Sequence, residues 1–134
     1  MNSGFQEVEH TADKALQVWG KELKDLLAEA ARGMYALMGA EPAGGDSSQR
    51  SITLPASEPE VVLVAFLNEL LFLAEQESRV ATGFNFNLEN EIPEVDIRCS
   101  PVKSLQREIK AVTFSNLHIR ESNGRLETLI VFDV

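Results

Sequence analysis

The chain has 134 residues, a length that suits one domain, and we expect a single domain over residues 1–134. Its 21 acidic residues outnumber the 12 basic ones. The net charge of −9 argues against wide contact with nucleic-acid phosphates or anionic membranes, and favours a basic protein partner or metal cations. We expect no direct sequence-specific binding of nucleic acid and no membrane contact. Cys99 is the only cysteine, which excludes an internal disulfide and a cysteine-cluster zinc site. Because the chain start lacks the features of a signal peptide and no apolar run reaches the ~20 residues of a membrane span, we expect a cytoplasmic location.

The first third of the chain predicts two strands and a helix. Residues 5–9 and 15–19 fit short strands, separated by the polar corner Glu9-His10-Thr11-Ala12-Asp13. Over residues 21–38 apolar side chains, Met34 and Met38 among them, recur at helical spacing, and Gly39 is a natural stop. The polar residues of this helix that we expect to face solvent are Lys24, Asp25, Glu29 and Arg32.

The middle of the chain predicts a loop, a brief strand and a second helix. Residues 41–50 are rich in glycine, proline and serine and indicate a loop, and residues 51–54 a strand. Ser57-Glu58-Pro59-Glu60 favours a helix start with Ser57 as the cap and Pro59 in the first turn. The helix should run to about Glu77 and, since it has almost no polar face, should be largely buried against a sheet.

The remainder of the chain has strand periodicity. Residues 84–88 and 95–98 alternate apolar and polar side chains and predict a hairpin, whereas residues 100–108 look irregular. A strand is expected within residues 109–120, and Asn123-Gly124 is a strong two-residue hairpin signal that would pair it with the terminal strand. That last strand, residues 125–134, is apolar on both faces and should lie inside a sheet.

Together these elements predict an α+β fold. We expect a two-layer sandwich in which two helices pack on one face of a largely antiparallel sheet of about six or seven short strands.

The acidic groups at the end of the chain and in the early corner are the candidate functional residues. Asp133 and the terminal carboxylate of Val134 bring two negative charges together, which repel by roughly 1 kcal/mol in water at about 4 Å and by about 4 kcal/mol at an effective dielectric constant of 20. A cation would relieve this repulsion; a strand end with both carboxylates splayed into water is the commoner arrangement. On the residues alone, Asp13 is more often a turn former and His10 more often a hydrogen-bonded structural residue, since no nucleophile or phosphate loop accompanies them.

Four segments in order along the chain resemble the archease family, the accessory proteins of the RtcB-type RNA ligase. The resemblance runs over essentially the whole chain, and its first and last segments are the most specific. The segments are Glu9-His10-Thr11-Ala12-Asp13, Leu67-Asn68-Glu69-Leu70-Leu71-Phe72-Leu73, Lys110-Ala111-Val112-Thr113 and Val131-Phe132-Asp133-Val134.

The resemblance implies a protein that is not an enzyme and that helps the ligase become guanylylated and turn over repeatedly in tRNA splicing and RNA repair. It also implies a divalent cation, most often Ca²⁺ with Mg²⁺ or Mn²⁺ as alternatives, bound by Asp13, Asp133 and the terminal carboxylate of Val134. Three carboxylates without a thiolate suit such a hard cation. On the same basis Lys110 and His10 are expected to contact the ligase, and a salt bridge to one of the many acids is the alternative role for Lys110.

The chain departs from the family pattern in two places. The late motif usually continues with Tyr-His, where this chain has Phe114-Ser115, and Cys99-Ser100-Pro101 replaces a usual Gly-Glu-Pro. Ligase contacts at these positions should therefore differ. Two other functions stay open: a chaperone-like interaction module without a metal-dependent role and, ranked below it, a small enzyme that uses Asp13 and His10.

Overall fold

A computed structural model describes residues 3–9, 13–114 and 116–134, which form nine strands and two helices. In chain order the elements are β1 (Gly4–Glu9), β2 (Lys14–Gly20), α1 (Leu23–Met38), β3 (Glu41–Pro42), β4 (Ser48–Thr53), α2 (Pro59–Glu77), β5 (Arg79–Asn87), β6 (Glu94–Ser104), β7 (Ala111–Thr113), β8 (Arg120–Ser122) and β9 (Arg125–Asp133). Within these ranges neither helix is both long and apolar enough to cross a membrane.

The first sheet is built around the terminal strand. Its order is β1-β2-β9-β7, and β8 also pairs with β9, so β9 has neighbours on both sides. Ile130 and Phe132 on one face of β9 are fully buried, and Val131 on the other face is 4% exposed. The prediction that this strand lies inside a sheet is therefore confirmed.

The second sheet is built around β6. Both β4 and β5 pair antiparallel along β6, and β3 pairs near its end. The predicted hairpin is present, with Phe86 opposite Val95, and β5 carries an irregularity between Ala81 and Gly83. The α+β class is confirmed, but the described strands form two sheets and number nine instead of one sheet with six or seven. Side-chain alternation gives the faces of a strand and not its neighbours, which is why the division was missed.

The helices join the two sheets through one continuous apolar core. Helix α1 packs on β1 and β2, where Gly33 allows close approach: a Cβ atom there would lie 2.7 Å from Leu16 Cδ1 and 3.0 Å from Phe5 Cγ. Helix α2 contacts β5 and β7 and also α1. As predicted, α2 is largely buried, and Met34 and Met38 of α1 lie in the core.

Several local predictions were wrong. Glu29 is only 7% exposed, because its carboxylate accepts a hydrogen bond from Ser3 Oγ at 2.8 Å and lies 3.2 Å from the Arg32 guanidinium. Helix α2 begins with Glu58 as its N-cap residue and has no side-chain cap from Ser57, although Pro59 does occupy the first turn. Three strands also occupy segments expected to be irregular: β3 lies within the predicted loop, β4 begins at Ser48 and β6 runs to Ser104.

The strand predicted over residues 109–120 is interrupted. Only β7 and the first residue of β8 fall in this range. Asn116 has a positive φ of 55°, and the Leu117 N–H donates to the Phe114 carbonyl oxygen at 3.0 Å, so the backbone makes a turn after β7 and the strand does not continue. The hairpin turn at Asn123 and Gly124 has positive φ at both positions, as predicted.

Candidate carboxylate site

The strand register brings segments from the start and the end of the chain to one end of the first sheet. Lys14 of β2 lies opposite Phe132 of β9, so the next position along each strand is Asp13 and Asp133, respectively. On the other side of β9, Ala111 of β7 lies opposite Asp133. Opposed Cα atoms in antiparallel strands are about 4.5–5.5 Å apart. We call this region, formed by Asp13, Lys110, Asp133 and Val134, the carboxylate end.

Buried residues anchor the carboxylate end, and its polar groups reach the surface. Ala15, two residues after Asp13, and Phe132, just before Asp133, are both fully buried, whereas Asp133 is exposed and Asp13 is partly buried. Side chains held in this way by a packed sheet have little freedom to drift apart. The arrangement therefore presents oxygen atoms at a fixed edge of the fold.

Lys110 lies next to Asp133. Its backbone N–H donates to the Asp133 carbonyl oxygen at 2.7 Å, and its side chain is exposed. Among the side chains that the structure describes, Lys110 forms no salt bridge, whereas Lys14 binds Glu7 of β1 with 3.4 Å between Nζ and Oε2. The Lys110 ammonium group is thus presented to solvent at the rim of the carboxylate end.

The predicted ligand set has oxygen donors only. No group of three or more His, Cys, Asp or Glu side chains arranged to hold a metal ion occurs among the described residues. The predicted set consists of two aspartate side chains and the terminal carboxylate, which is the donor chemistry that calcium and magnesium prefer. Their role as ligands stays a prediction. The expected contact of His10 and the replacement at Ser115 lie outside the described residues.

The match to a known protein family tests the resemblance that the four segments carry. The model of the Archease protein family matches residues 5–134. The chain belongs to the archease family.

Relatives from archaea and from a eukaryote match over nearly their whole length. The archease of Methanosarcina barkeri is 31% identical, over 97% of this chain and 95% of that protein. An archease-like protein of Dictyostelium discoideum is 26% identical, over 97% of this chain and 93% of that protein.

Two solved structures share the fold. An archease of Thermotoga maritima, described as a possible chaperone, matches with a TM-score of 0.74 and 24% identity over 96% of each chain. Protein 1598 of Methanobacterium thermoautotrophicum matches with a TM-score of 0.75 and 21% identity, over 98% of this chain and 99% of that protein.

Two residues of α2, Asn68 and Glu60, make contacts with the late part of the chain that were not predicted from sequence. The Asn68 Oδ1 atom accepts a hydrogen bond from the Val112 N–H at 3.2 Å, and the Glu60 Oε2 atom accepts one from the Ile119 N–H at 2.9 Å. Both acceptors tie the helix to the segment that contains β7. The available signal was the presence of polar residues in a helix that is otherwise apolar, because such residues usually have a bonding partner.

The resolved pKa shifts have structural causes elsewhere in the fold. Burial raises the pKa of Tyr35 to about 12 and also raises the pKa of the Cys99 thiol, so Cys99 is not an activated nucleophile. The Arg50 guanidinium donates two hydrogen bonds to the exposed Glu77 carboxylate, one of them at 2.8 Å, and lowers the pKa of that carboxyl. Tyr35, Cys99 and Glu77 are not among the predicted site residues.

A groove lies on the second sheet, away from the carboxylate end. It has a volume of about 500 Å³, and its lining includes Gln49, Gly83, Asp96 and Arg98. Ser51 Oγ donates to Asp96 Oδ1 at 2.5 Å within it. No residue predicted from the archease resemblance lines this groove.

Proposed function

We propose that this archease is an accessory factor that binds a divalent cation at the carboxylate end and activates an RtcB-type RNA ligase in the cytoplasm. It would promote guanylylation and repeated turnover of the ligase in tRNA splicing and RNA repair, without catalysing a reaction itself. One observation carries the proposal: the register that sets Lys14 opposite Phe132 and Ala111 opposite Asp133. Acidic groups from distant parts of the chain therefore meet at one edge.

The proposed ligands are the side chains of Asp13 and Asp133 and the carboxylate of Val134. Without a counter-ion, carboxylates about 4 Å apart repel by about 4 kcal/mol at an effective dielectric constant of 20. Calcium takes six to eight oxygen ligands, so three carboxylates leave positions for water or for oxygen atoms of a partner. When bound, the cation would supply positive charge to anionic groups of the ligase or its nucleotide. Magnesium and manganese are the alternatives.

Lys110 supplies a second positive group at the same edge. Its side chain is exposed and its backbone is fixed to Asp133 by the 2.7 Å hydrogen bond. We assign it the role of contacting an acidic group or a phosphate on the ligase side, because an ammonium group binds phosphate as a point charge. We also assign His10, which precedes β2 in the sequence, to the ligase contact.

Single-turnover guanylylation of a purified RtcB-type ligase tests the proposal. The wild-type chain should accelerate formation of the ligase–guanylate, and Asp13→Asn and Asp133→Asn should each lose most of this stimulation. Asp96→Asn is the matched control, since it removes the same charge on the second sheet, where Asp96 binds Ser51. Full stimulation by Asp13→Asn, or none by the wild type, would contradict the proposal.

A chaperone-like interaction module is the second candidate. Two observations favour it: the Thermotoga archease is described as a possible chaperone, and this chain exposes large apolar side chains, with Phe72 and Phe114 each 55% exposed and Ile92 64% exposed. Exposed apolar groups of this kind serve as contact points for other proteins. Suppression of aggregation of an unrelated client that is lost in Phe72→Ser and Phe114→Ser, but kept in Asp133→Asn, would support this function instead.

A further inference from the structure

Strand β7 is a short strand at the carboxylate end. Its three residues, Ala111, Val112 and Thr113, pair with β9. On its other side it has no neighbouring strand among the described residues. So short an edge strand needs further contacts to keep its position.

Helix α2 supplies such a contact through Asn68. The Asn68 carboxamide oxygen accepts the Val112 N–H at 3.2 Å, across 44 positions of sequence. Asn68 is partly buried in a helix whose neighbouring side chains Leu67 and Leu70 are fully buried. A carboxamide in such surroundings is stable when it is hydrogen-bonded, and here its oxygen bonds to the backbone of β7.

Val112 links this contact to the carboxylate end. Ala111, the residue before Val112, pairs with Asp133, and the Lys110 N–H donates to the Asp133 carbonyl oxygen at 2.7 Å. Fixing Val112 against α2 therefore fixes the backbone that carries Lys110 and borders Asp133.

We propose that Asn68 is a positioning residue for the carboxylate end: by accepting the Val112 N–H it holds β7, and with it Lys110, against Asp133. Only the expected effect of Asn68 on cation binding rests on the proposed function. The placement of β7 by Asn68 is a separate statement about the fold and is tested separately.

Amide hydrogen exchange tests the placement. In Asn68→Leu the protection of the Val112 and Lys110 amides should fall by roughly tenfold, the effect expected from loss of about one hydrogen bond, while amides of β2 keep their protection. Asn68→Asp keeps an acceptor oxygen and should retain the protection. Gln76→Leu makes the same type of change at an exposed position of α2 and should have no effect at Val112. Asn68→Ala, which adds no bulk, is measured in parallel in case the leucine variant does not fold.

Calcium titration tests the consequence. Asn68→Leu and Asn68→Ala should each bind calcium about tenfold more weakly than the wild type. This is the lower end of the range seen when residues that orient metal ligands are replaced. Gln76→Leu should bind calcium as the wild type does. Unchanged exchange at Val112, or an equal loss of protection throughout β2, would overturn the positioning role. If the wild type binds no calcium, the proposed function fails, and the exchange pattern still decides whether Asn68 holds β7.

Discussion

At the scale of single residues, Tyr35 joins α1 to the second sheet. Its hydroxyl oxygen accepts a hydrogen bond from the Ala81 N–H at 3.0 Å, where β5 is irregular and the ladder with β6 is interrupted. Burial raises the pKa of Tyr35 from 10.0 to about 12, because the phenolate would lose its hydration; the Ala81 hydrogen bond offsets part of this effect. The neutral phenol is therefore the form that the fold favours.

The stability of the fold should fall as the pH rises through this range. Below pH 10 the phenol is protonated in both states; between about pH 10 and 12 only the unfolded chain loses the proton, so wild-type stability should drop by roughly 2 to 3 kcal/mol. Tyr35→Phe should lack this component and should be less stable at pH 8 by about 1–3 kcal/mol, because the Ala81 N–H loses its acceptor. Urea unfolding at several pH values measures both effects.

An optical titration provides the control for this prediction. Tyr35 is the only tyrosine of the chain, so the ultraviolet absorbance of the phenolate reports this residue alone. In the folded protein the phenolate should appear well above pH 10, and in urea near pH 10. Ionisation of the folded protein near pH 10 would contradict the prediction.

At the scale of elements, helix α2 contains two phenylalanines in opposite environments. Phe66 is fully buried and packs edge-on against Phe84 and Phe86 of β5, with ring centroids 5.6 and 5.4 Å apart. Phe72, on the outer side of the helix, is 55% exposed. An aromatic cluster on the inner side of α2 therefore holds the helix against the second sheet.

The same substitution at these two positions should have very different effects. Phe66→Ala should destabilise the protein by about 3–5 kcal/mol, because it leaves a cavity and removes both ring contacts. Phe72→Ala should change the stability by no more than about 0.5 kcal/mol, since a largely exposed side chain loses little on truncation. Urea unfolding of the two variants measures the difference. Similar effects at both positions would show that the aromatic cluster does not anchor α2.

Local sequence patterns predicted the elements whose stability comes from their own residues. Apolar periodicity identified both helices and the internal position of β9, and Asn123-Gly124 identified the β8–β9 turn, since both residues have the positive φ that the turn requires. Features that depend on a distant partner were missed. Glu29 is buried because Ser3 binds it, and Asn68 has its role because Val112 lies opposite, and neither partner is visible in the adjacent sequence.

The candidate site shows the same division. The carboxylates of Asp13 and Asp133 were singled out one by one, yet nothing in the spacing along the chain determines that they are neighbours. Their proximity follows from the antiparallel pairing of β2 with β9, a contact between opposite ends of the chain. The proximity of Asp13 and Asp133 was expected only from the resemblance to the archease family.

At the scale of the whole molecule, the net charge of −9 attracts cations weakly to the entire surface. Exposed charges farther apart than about 8–10 Å are largely screened at physiological salt, so this general attraction fades as salt is added. A specific site keeps its effect, since its ligands contact the ion directly. Stability measured with and without calcium at physiological salt therefore separates the two.

Calcium should stabilise the folded chain through the carboxylate end. At 100 times its dissociation constant, an ion that binds only the folded state adds roughly 2.7 kcal/mol to the free energy of unfolding, and a chelator should remove this gain. Asp13→Asn and Asp133→Asn should abolish it, whereas Asp96→Asn, with the same net charge, should keep it because Asp96 lies on the second sheet. Urea unfolding with calcium and then chelator measures each variant. An equal gain in all three variants would mean that calcium acts on the overall charge and that the carboxylate end binds no ion.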